Sequence, residues 1–268
     1  LEMVGRFSML LLAVYLVLVV FLWVWQRQMI YLPDTRAPSA IQLASAGLVA
    51  WPTGAEEPRA LVALSAPKQV KATVLVFHGN AGAAWNREYY IRALQSLGYR
   101  VLLVEYPGYG GRKGSPSEQV LVEDALQTLQ LVHKQFGGPI FLWGESLRAG
   151  VAAAVIGSTD VPVDGLVMVA PWDSLAELAQ THYPLFPARW LVRDRYDSIH
   201  NLKNFRGRVA ILTAEQDRII PNHHSLRLFE SLAVTKKQWA FANSNHNRWP
   251  NAPGERWWRD VMTFVRGE

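Results

Sequence analysis

The sequence predicts an α/β protein: a mostly parallel central sheet with helices on both faces, carried behind one N-terminal transmembrane helix. Three observations predict it. Short apolar, β-branched runs alternate with helical patterns from Thr73 to Val265. At residues 141–157 a strand runs through a sharp turn and a Ser into a helix of small residues. An uncharged apolar run, Phe7–Trp25, lies near the start.

The chain has 268 residues, enough for one large domain. Half are hydrophobic and 18% are charged, a composition that supports a sizeable core. The net charge is +5 and the pI about 9.5, but the basic residues are scattered. They read as an ordinary solvated surface with, at most, mild attraction to anionic membranes. No nucleic-acid module is present in the sequence. The absence of Cys excludes a disulfide framework, a thiolate metal site and a Cys nucleophile, and leaves the redox compartment open. Leu1 and Glu2 precede Met3 and are expected to be foreign to the native chain.

The Phe7–Trp25 run would span roughly 28 Å as a helix, close to the hydrocarbon core. Arg6 and Arg27 bracket it, and Trp23, Trp25 and Tyr31 fit an interfacial belt. Trp-Val-Trp-Gln-Arg-Gln is a poor cleavage site, which favours an uncleaved single-pass anchor over a removed signal. The flanking Arg counts nearly balance. The short N-terminal tail tips the expectation towards an extracytoplasmic catalytic domain.

The expected organisation is an anchor over 1–28, a linker over 29–45 and a catalytic domain over 46–268. Gly47–Trp51 and Ala60–Ser65 read as a hairpin, and Thr73–Phe77 as a buried strand. Trp85–Leu97 has helical spacing and stops at Gly98. Val101–Glu105 is the next strand. Ser115, Pro116 and Glu118 read as a capping box that opens the following helix, which Gly137-Gly138-Pro139 ends. Further strands are expected at Ile140–Trp143, Leu166–Val169, Val209–Thr213 and Gln238–Phe241, and a last helix at Arg256–Val265. The aromatic-rich, strand-poor segment 171–208 reads as a cap over the site.

Gly144-Glu145-Ser146-Leu147-Arg148 sits where the strand turns into the helix. Such an elbow holds a Ser hydroxyl at the carboxyl end of the sheet, where open α/β folds bind ligands. Gly is wanted two residues before the Ser, and Gly144 is there. Gly is also wanted two residues after it, but Arg148 stands there. Arg148 reads as a natural substitution whose side chain escapes to solvent or a carboxylate, as a change introduced into the sequence, or as a binder of an anionic substrate group.

A Ser hydroxyl needs a base, and the base an orienting acid. With this elbow the chain order is Ser, acid, His. Asp217 follows Val209–Thr213 and His246 follows Gln238–Phe241, the required places. Glu215, Asp194 and Asp197 fit the acid less well. His133, His182, His200, His223 and His224 fit the base less well. The loop after Thr73–Phe77, His78–Gly82, should supply an oxyanion donor from the Asn80 N–H, with Ala81 as the alternative; Leu147 supplies the other. His78 lacks a second ligand at metal-binding spacing, so no metal is expected.

Taken together, HGNAG (His78–Gly82), YPGYG (Tyr106–Gly110), GSPSE (Gly114–Glu118), GESL (Gly144–Leu147), RDRYDS (Arg193–Ser198) and the Asp217 and His246 loops resemble one family. It is that of the membrane-anchored α/β-hydrolases related to protein depalmitoylases and bud-emergence-type hydrolases, with a serine aminopeptidase-like domain. Tyr31–Pro33 (YLP) is also similar to that group, and the resemblance runs from about residue 29 onward. It implies the α/β-hydrolase fold and cofactor-free cleavage of lipophilic esters or thioesters through an acyl-enzyme on Ser146, Asp217 and His246. Partners would be the acyl substrate and the membrane, with no nucleic acid and no protein partner identified. Arg148 departs from the pattern and leaves an impaired scaffold or lipid-binding protein as the alternative. A peptidase on the same machinery also stays open.

Overall fold

The computed structural model describes residues 2–268. Leu1, expected to precede the native start, lies outside them. The strands are β1 Leu32–Pro33, β2 Leu48–Trp51, β3 Ala60–Ala63, β4 Ala72–Phe77, β5 Ala81–Gly82, β6 Tyr99–Val104, β7 Ile140–Glu145, β8 Gly165–Val169, β9 Arg208–Ala214 and β10 Lys236–Phe241. The α-helices are α1 Glu2–Ile30, α2 Ala40–Ser45, α3 Glu88–Gln95, α4 Glu118–Phe136, α5 Leu147–Ser158, α6 Leu175–His182, α7 Ala188–Leu191, α8 Ser198–Leu202, α9 Asn222–Ser231 and α10 Arg256–Arg266. Eight strands form one sheet in the order β10-β9-β8-β7-β4-β6-β3-β2, parallel except for the β2–β3 hairpin at one edge. The expected α/β architecture is therefore present, with the elbow on the central strand β7.

Alternation along the strands builds two cores. Successive side chains point to opposite faces. Leu75 and Phe77 of β4, Leu142 of β7 and Met168 of β8 pack with residues of α4, α5 and α9. Val74 and Val76, Trp143, and Val167 face the other way, against α3 and α10. The central strands are buried on both faces, which is why they read as continuous apolar runs.

Two local expectations need correction. Ser115 does not cap α4: the cap is Ser117, whose hydroxyl accepts from the Val120 N–H at 3.3 Å. Glu118, free of the capping box, accepts from the amides of Arg195 and Tyr196 and ties the cap segment to α4. The 29–45 stretch also holds α2, opened by a Ser39–Gln42 capping box; its six residues are too short for a periodic signal.

Arg148 neither escapes to solvent or a carboxylate nor faces a substrate site. Its side chain is 0% exposed, reaches no carboxylate and is absent from the lining of the cleft over Ser146. The guanidinium lies 4.5 Å from the Tyr106 ring, 4.9 Å from Tyr109 and 5.7 Å from Tyr31. Among the described residues its three nitrogens form no hydrogen bond. Cation–π attraction of about 0.5–2 kcal/mol per ring only partly offsets the loss of hydration. Replacing Arg148 by Met keeps an unbranched, flexible side chain and removes the buried charge. Arg148→Met should therefore stabilise the fold by about 1–3 kcal/mol, raising the unfolding midpoint by roughly 2–4 °C per kcal/mol. A lower midpoint in a thermal melt would show that the tyrosine cage outweighs the desolvation.

Candidate active site

The elbow is set by contact between β7 and α5. A Cβ on Gly144 would lie 2.6 Å from the Ala149 Cα and 2.7 Å from the Arg148 carbonyl oxygen. Only Gly admits that approach, and the chain must turn within one residue. Ser146 takes the strain, with φ 51° and ψ −120°. Its N–H donates to the Val169 carbonyl at 2.8 Å, which pins the turn to β8.

The structure brings Ser146, His246 and Asp217 together. The Ser146 Oγ lies 2.9 Å from His246 Nε2, and His246 Nδ1 lies 2.8 Å from Asp217 Oδ2. A carboxylate accepts only, so Nδ1 carries the proton and Nε2 accepts from the hydroxyl. Asp217 is buried, and its other oxygen accepts from the amides of Ile219 and Ile220 at 2.9 and 2.8 Å. Those two bonds fix the carboxylate before the imidazole arrives.

Five of the competing residues are otherwise engaged. Asp194 accepts from Arg27 and Tyr31, Asp197 caps α8, and Glu215 accepts from the Asn243 amide. His224 pairs with Asp173, and His182 donates to the Ile219 carbonyl. His78 lies with its ring tilted against that of Tyr106, centroids 4.6 Å apart, and pairs with Glu105 at 3.1 Å. Among the described residues no cluster of three metal-ligating side chains occurs.

Two amides near Ser146 are free. The Gly79 N–H donates to Glu145, but among the described residues the Asn80 N–H donates to nothing. Leu147 is the first residue of α5, so its amide has no partner inside the helix. The Asn80 side chain holds its own loop: it donates to the Ile30 carbonyl and accepts from Tyr109 at 3.3 Å. Beside it β1 pairs in parallel with β5, so the segment just after α1 braces this loop.

Glu145 is the residue that the sequence reading passed over. One oxygen accepts from the Gly79 amide at 2.8 Å and Arg87 at 2.9 Å; the other accepts from Tyr90 at 2.7 Å and Tyr89 at 2.9 Å. It locks the elbow to the loop after β4. Burial pushes the carboxyl up, but Arg87, the tyrosine hydroxyls and the amide outweigh that and hold it at about 2. A charge at the end of an apolar strand, with Arg and two Tyr on the neighbouring helix, was the available signal.

A cavity of about 670 Å³ opens over Ser146 and His246. Asn80, Asn86, Arg87, Asn247 and Asn251 give it a polar lining, and Ala170, Leu212 and Ile219 an apolar one. A hydroxyl hydrogen-bonded to an imidazole that a carboxylate orients, beside two free amides, is an arrangement that can carry acyl transfer.

Comparison with known proteins finds hydrolases. A family model described as serine aminopeptidase, S33 matches residues 68–203. A Mycobacterium tuberculosis protein described as uncharacterized is 34% identical over 249 residues, covering 85% of this chain and 83% of that protein. A mouse protein named lysophosphatidylserine lipase ABHD12 is 30% identical over 62% of this chain, which spans only 46% of that relative's length. The crystal structure of a Paleococcus ferrophilus monoacylglycerol lipase superposes with a TM-score of 0.58 at 20% identity, over 75% of this chain and 96% of that one. At such identity the likeness shows the fold.

The folded value of Glu145 lies below the ordinary 4.5, so its contribution to stability is whole above about pH 4.5 and is lost as pH falls through about 2. Glu145→Gln keeps the shape but weakens four hydrogen bonds. It should cost about 1–3 kcal/mol at pH 7, and the gap to wild type should narrow below about pH 4.5. A gap in thermal midpoint that stays constant down to pH 2.5 would contradict the ionised Glu145.

Proposed function

The chain belongs to the serine aminopeptidase S33 family of α/β hydrolases, and from that premise we propose a membrane-tethered serine hydrolase that cleaves lipophilic carboxylic esters or thioesters. The observation that carries the reading is the unbroken relay from Ser146 through His246 to Asp217, next to two unpartnered amides.

In this mechanism the Ser146 Oγ attacks the acyl carbonyl while its proton passes to His246 Nε2. Asp217 holds the imidazole and stabilises the imidazolium that forms. The carbonyl oxygen becomes an oxyanion and accepts from the Asn80 and Leu147 amides. The carbon–heteroatom bond then breaks and His246 gives its proton to the departing alcohol or thiol. Water, deprotonated by His246, attacks the acyl-enzyme, and the acid leaves as Ser146 regains its proton. Each proton starts and ends on a residue or species already in the site, so the cycle needs no cofactor.

A lipid substrate is favoured by the name of the mouse relative and by α1, which is 29 residues long with the apolarity of a membrane span. Most of its apolar side chains are exposed, as a span surrounded by lipid requires. An anchor over α1 with the hydrolase domain beyond it is the corresponding topology. Arg148 stays away from Ser146 inside its tyrosine cage, which favours an active enzyme over an impaired scaffold.

The test is Ser146→Ala. Hydrolysis of a short p-nitrophenyl ester should fall by at least about 1,000-fold, and fluorophosphonate labelling should vanish, with the thermal midpoint unchanged. Retained turnover would exclude Ser146 as the nucleophile.

A further inference from the structure

A second cavity, of about 530 Å³, lies between α1 and the cap. Leu22, Met29 and Ile30 of α1 form one wall, and Leu178, Ala179 and Val192 belong to the other. Its lining is overwhelmingly apolar, and its volume is in the range of pockets that hold one small lipophilic ligand. One residue, Ile219, lines both this groove and the cavity over Ser146. Ile219 stands two residues after Asp217, its N–H held by that carboxylate and its carbonyl accepting from His182 at 2.8 Å. The apolar groove and the serine cleft therefore meet at a residue whose backbone is held on both sides, and the asparagines line the serine cleft alone.

The cap follows α1 into its apolar stretch. Arg27 pairs with Asp194 at 2.9 Å, and twelve residues back the Tyr15 hydroxyl donates to the Leu185 carbonyl at 3.2 Å. Twelve residues of helix are about 18 Å. With Trp23, Trp25 and Arg27 at the interface, the 183–190 segment lies below it, beside hydrocarbon. The segment is suited to such a place. Leu185 and Trp190 are 82% and 76% exposed. The carbonyls of Leu185, Phe186 and Leu191 accept from Tyr15, Gln180 and Gln26, and Pro184 and Pro187 have no N–H to satisfy. Backbone groups facing hydrocarbon require such internal partners. Its charged residue, Arg189, pairs with Glu177 at 2.8 Å.

We infer that the groove between α1 and the cap is the acyl-chain site: a single long chain enters sideways from the bilayer, lies along α1, and passes Ile219 so that its carbonyl meets Ser146. This rests on the hydrolase reading and names its substrate class, a long-chain acyl ester or thioester with a polar leaving group. The headgroup or thiol would then occupy the asparagine-lined end, in water.

The experiment uses the full chain in phosphatidylcholine vesicles and two fluorophosphonates, one ethyl and one hexadecyl, with labelling rates read at Ser146 by mass spectrometry. Wild type should favour the hexadecyl probe. Ala179→Trp and, separately, Ala188→Trp fill the groove and should each lower the hexadecyl-to-ethyl rate ratio by at least about tenfold, because burial of several methylenes is lost. Labelling by the ethyl probe certifies that each variant is folded. A ratio unchanged in the variants that label overturns the acyl-chain site alone. No labelling of wild type by the ethyl probe overturns the hydrolase reading and the acyl-chain site with it.

Discussion

The close packing of α5 against β7 is the constraint from which the site follows. Gly144 lets the helix backbone approach to within a distance that no Cβ tolerates, and the chain must then reverse at one residue. Ser146 absorbs the turn at φ 51° and presents its hydroxyl above the sheet. The strain is held from both sides. Val169 accepts from the Ser146 amide, and Glu145 anchors the preceding position to Gly79, Arg87, Tyr89 and Tyr90. A residue held in a sparsely populated backbone region persists only where its surroundings over-determine it. Here the surroundings are the central strands, the most deeply buried part of the molecule.

The sheet was legible because its strands are buried on both faces and its helices amphipathic. Thr73–Phe77 and Leu166–Val169 each fall on a strand, and Val101–Glu105 overruns β6 by one residue. Ser146, Asp217 and His246 were legible for a different reason: each follows a strand, and strand ends in an open α/β sheet converge. What the sequence hid was long-range pairing. Nothing local to Asp194 reveals that it accepts from Arg27 and Tyr31, and the charge of Glu145 at a strand end does not by itself name its four donors, Gly79, Arg87, Tyr89 and Tyr90. Ser117 replaced Ser115 as the α4 cap because Glu118 was drawn to the cap segment, a tertiary demand that overrides a local box.

Arg148 illustrates the same limit. Its bulk at a position expecting Gly suggested exposure or a carboxylate, yet YPGYG places two tyrosine rings where the guanidinium stacks. Tyr31 adds a third ring, and its own hydroxyl joins Tyr196 at 2.9 Å and Asp194 at 3.0 Å. The YLP, YPGYG and RDRYDS motifs thus describe one interior cluster spread over three distant stretches of chain.

That cluster bears on what the N-terminal helix is. Tyr31 and Arg27 both satisfy Asp194, Gln26 accepts from the Arg193 amide, and Ile30 accepts from Asn80 on the loop carrying the free amide. A tether that served only as an address would end in a slack leader, separable without loss. Here the last turn of α1 is a keystone. A chain cut at residue 31 would leave Asp194 buried without its cation, a groove with one wall and a donor loop without its brace. The last turn of α1 and the hydrolase domain complete each other's hydrogen bonding, and a truncation that removes the helix removes those partners as well.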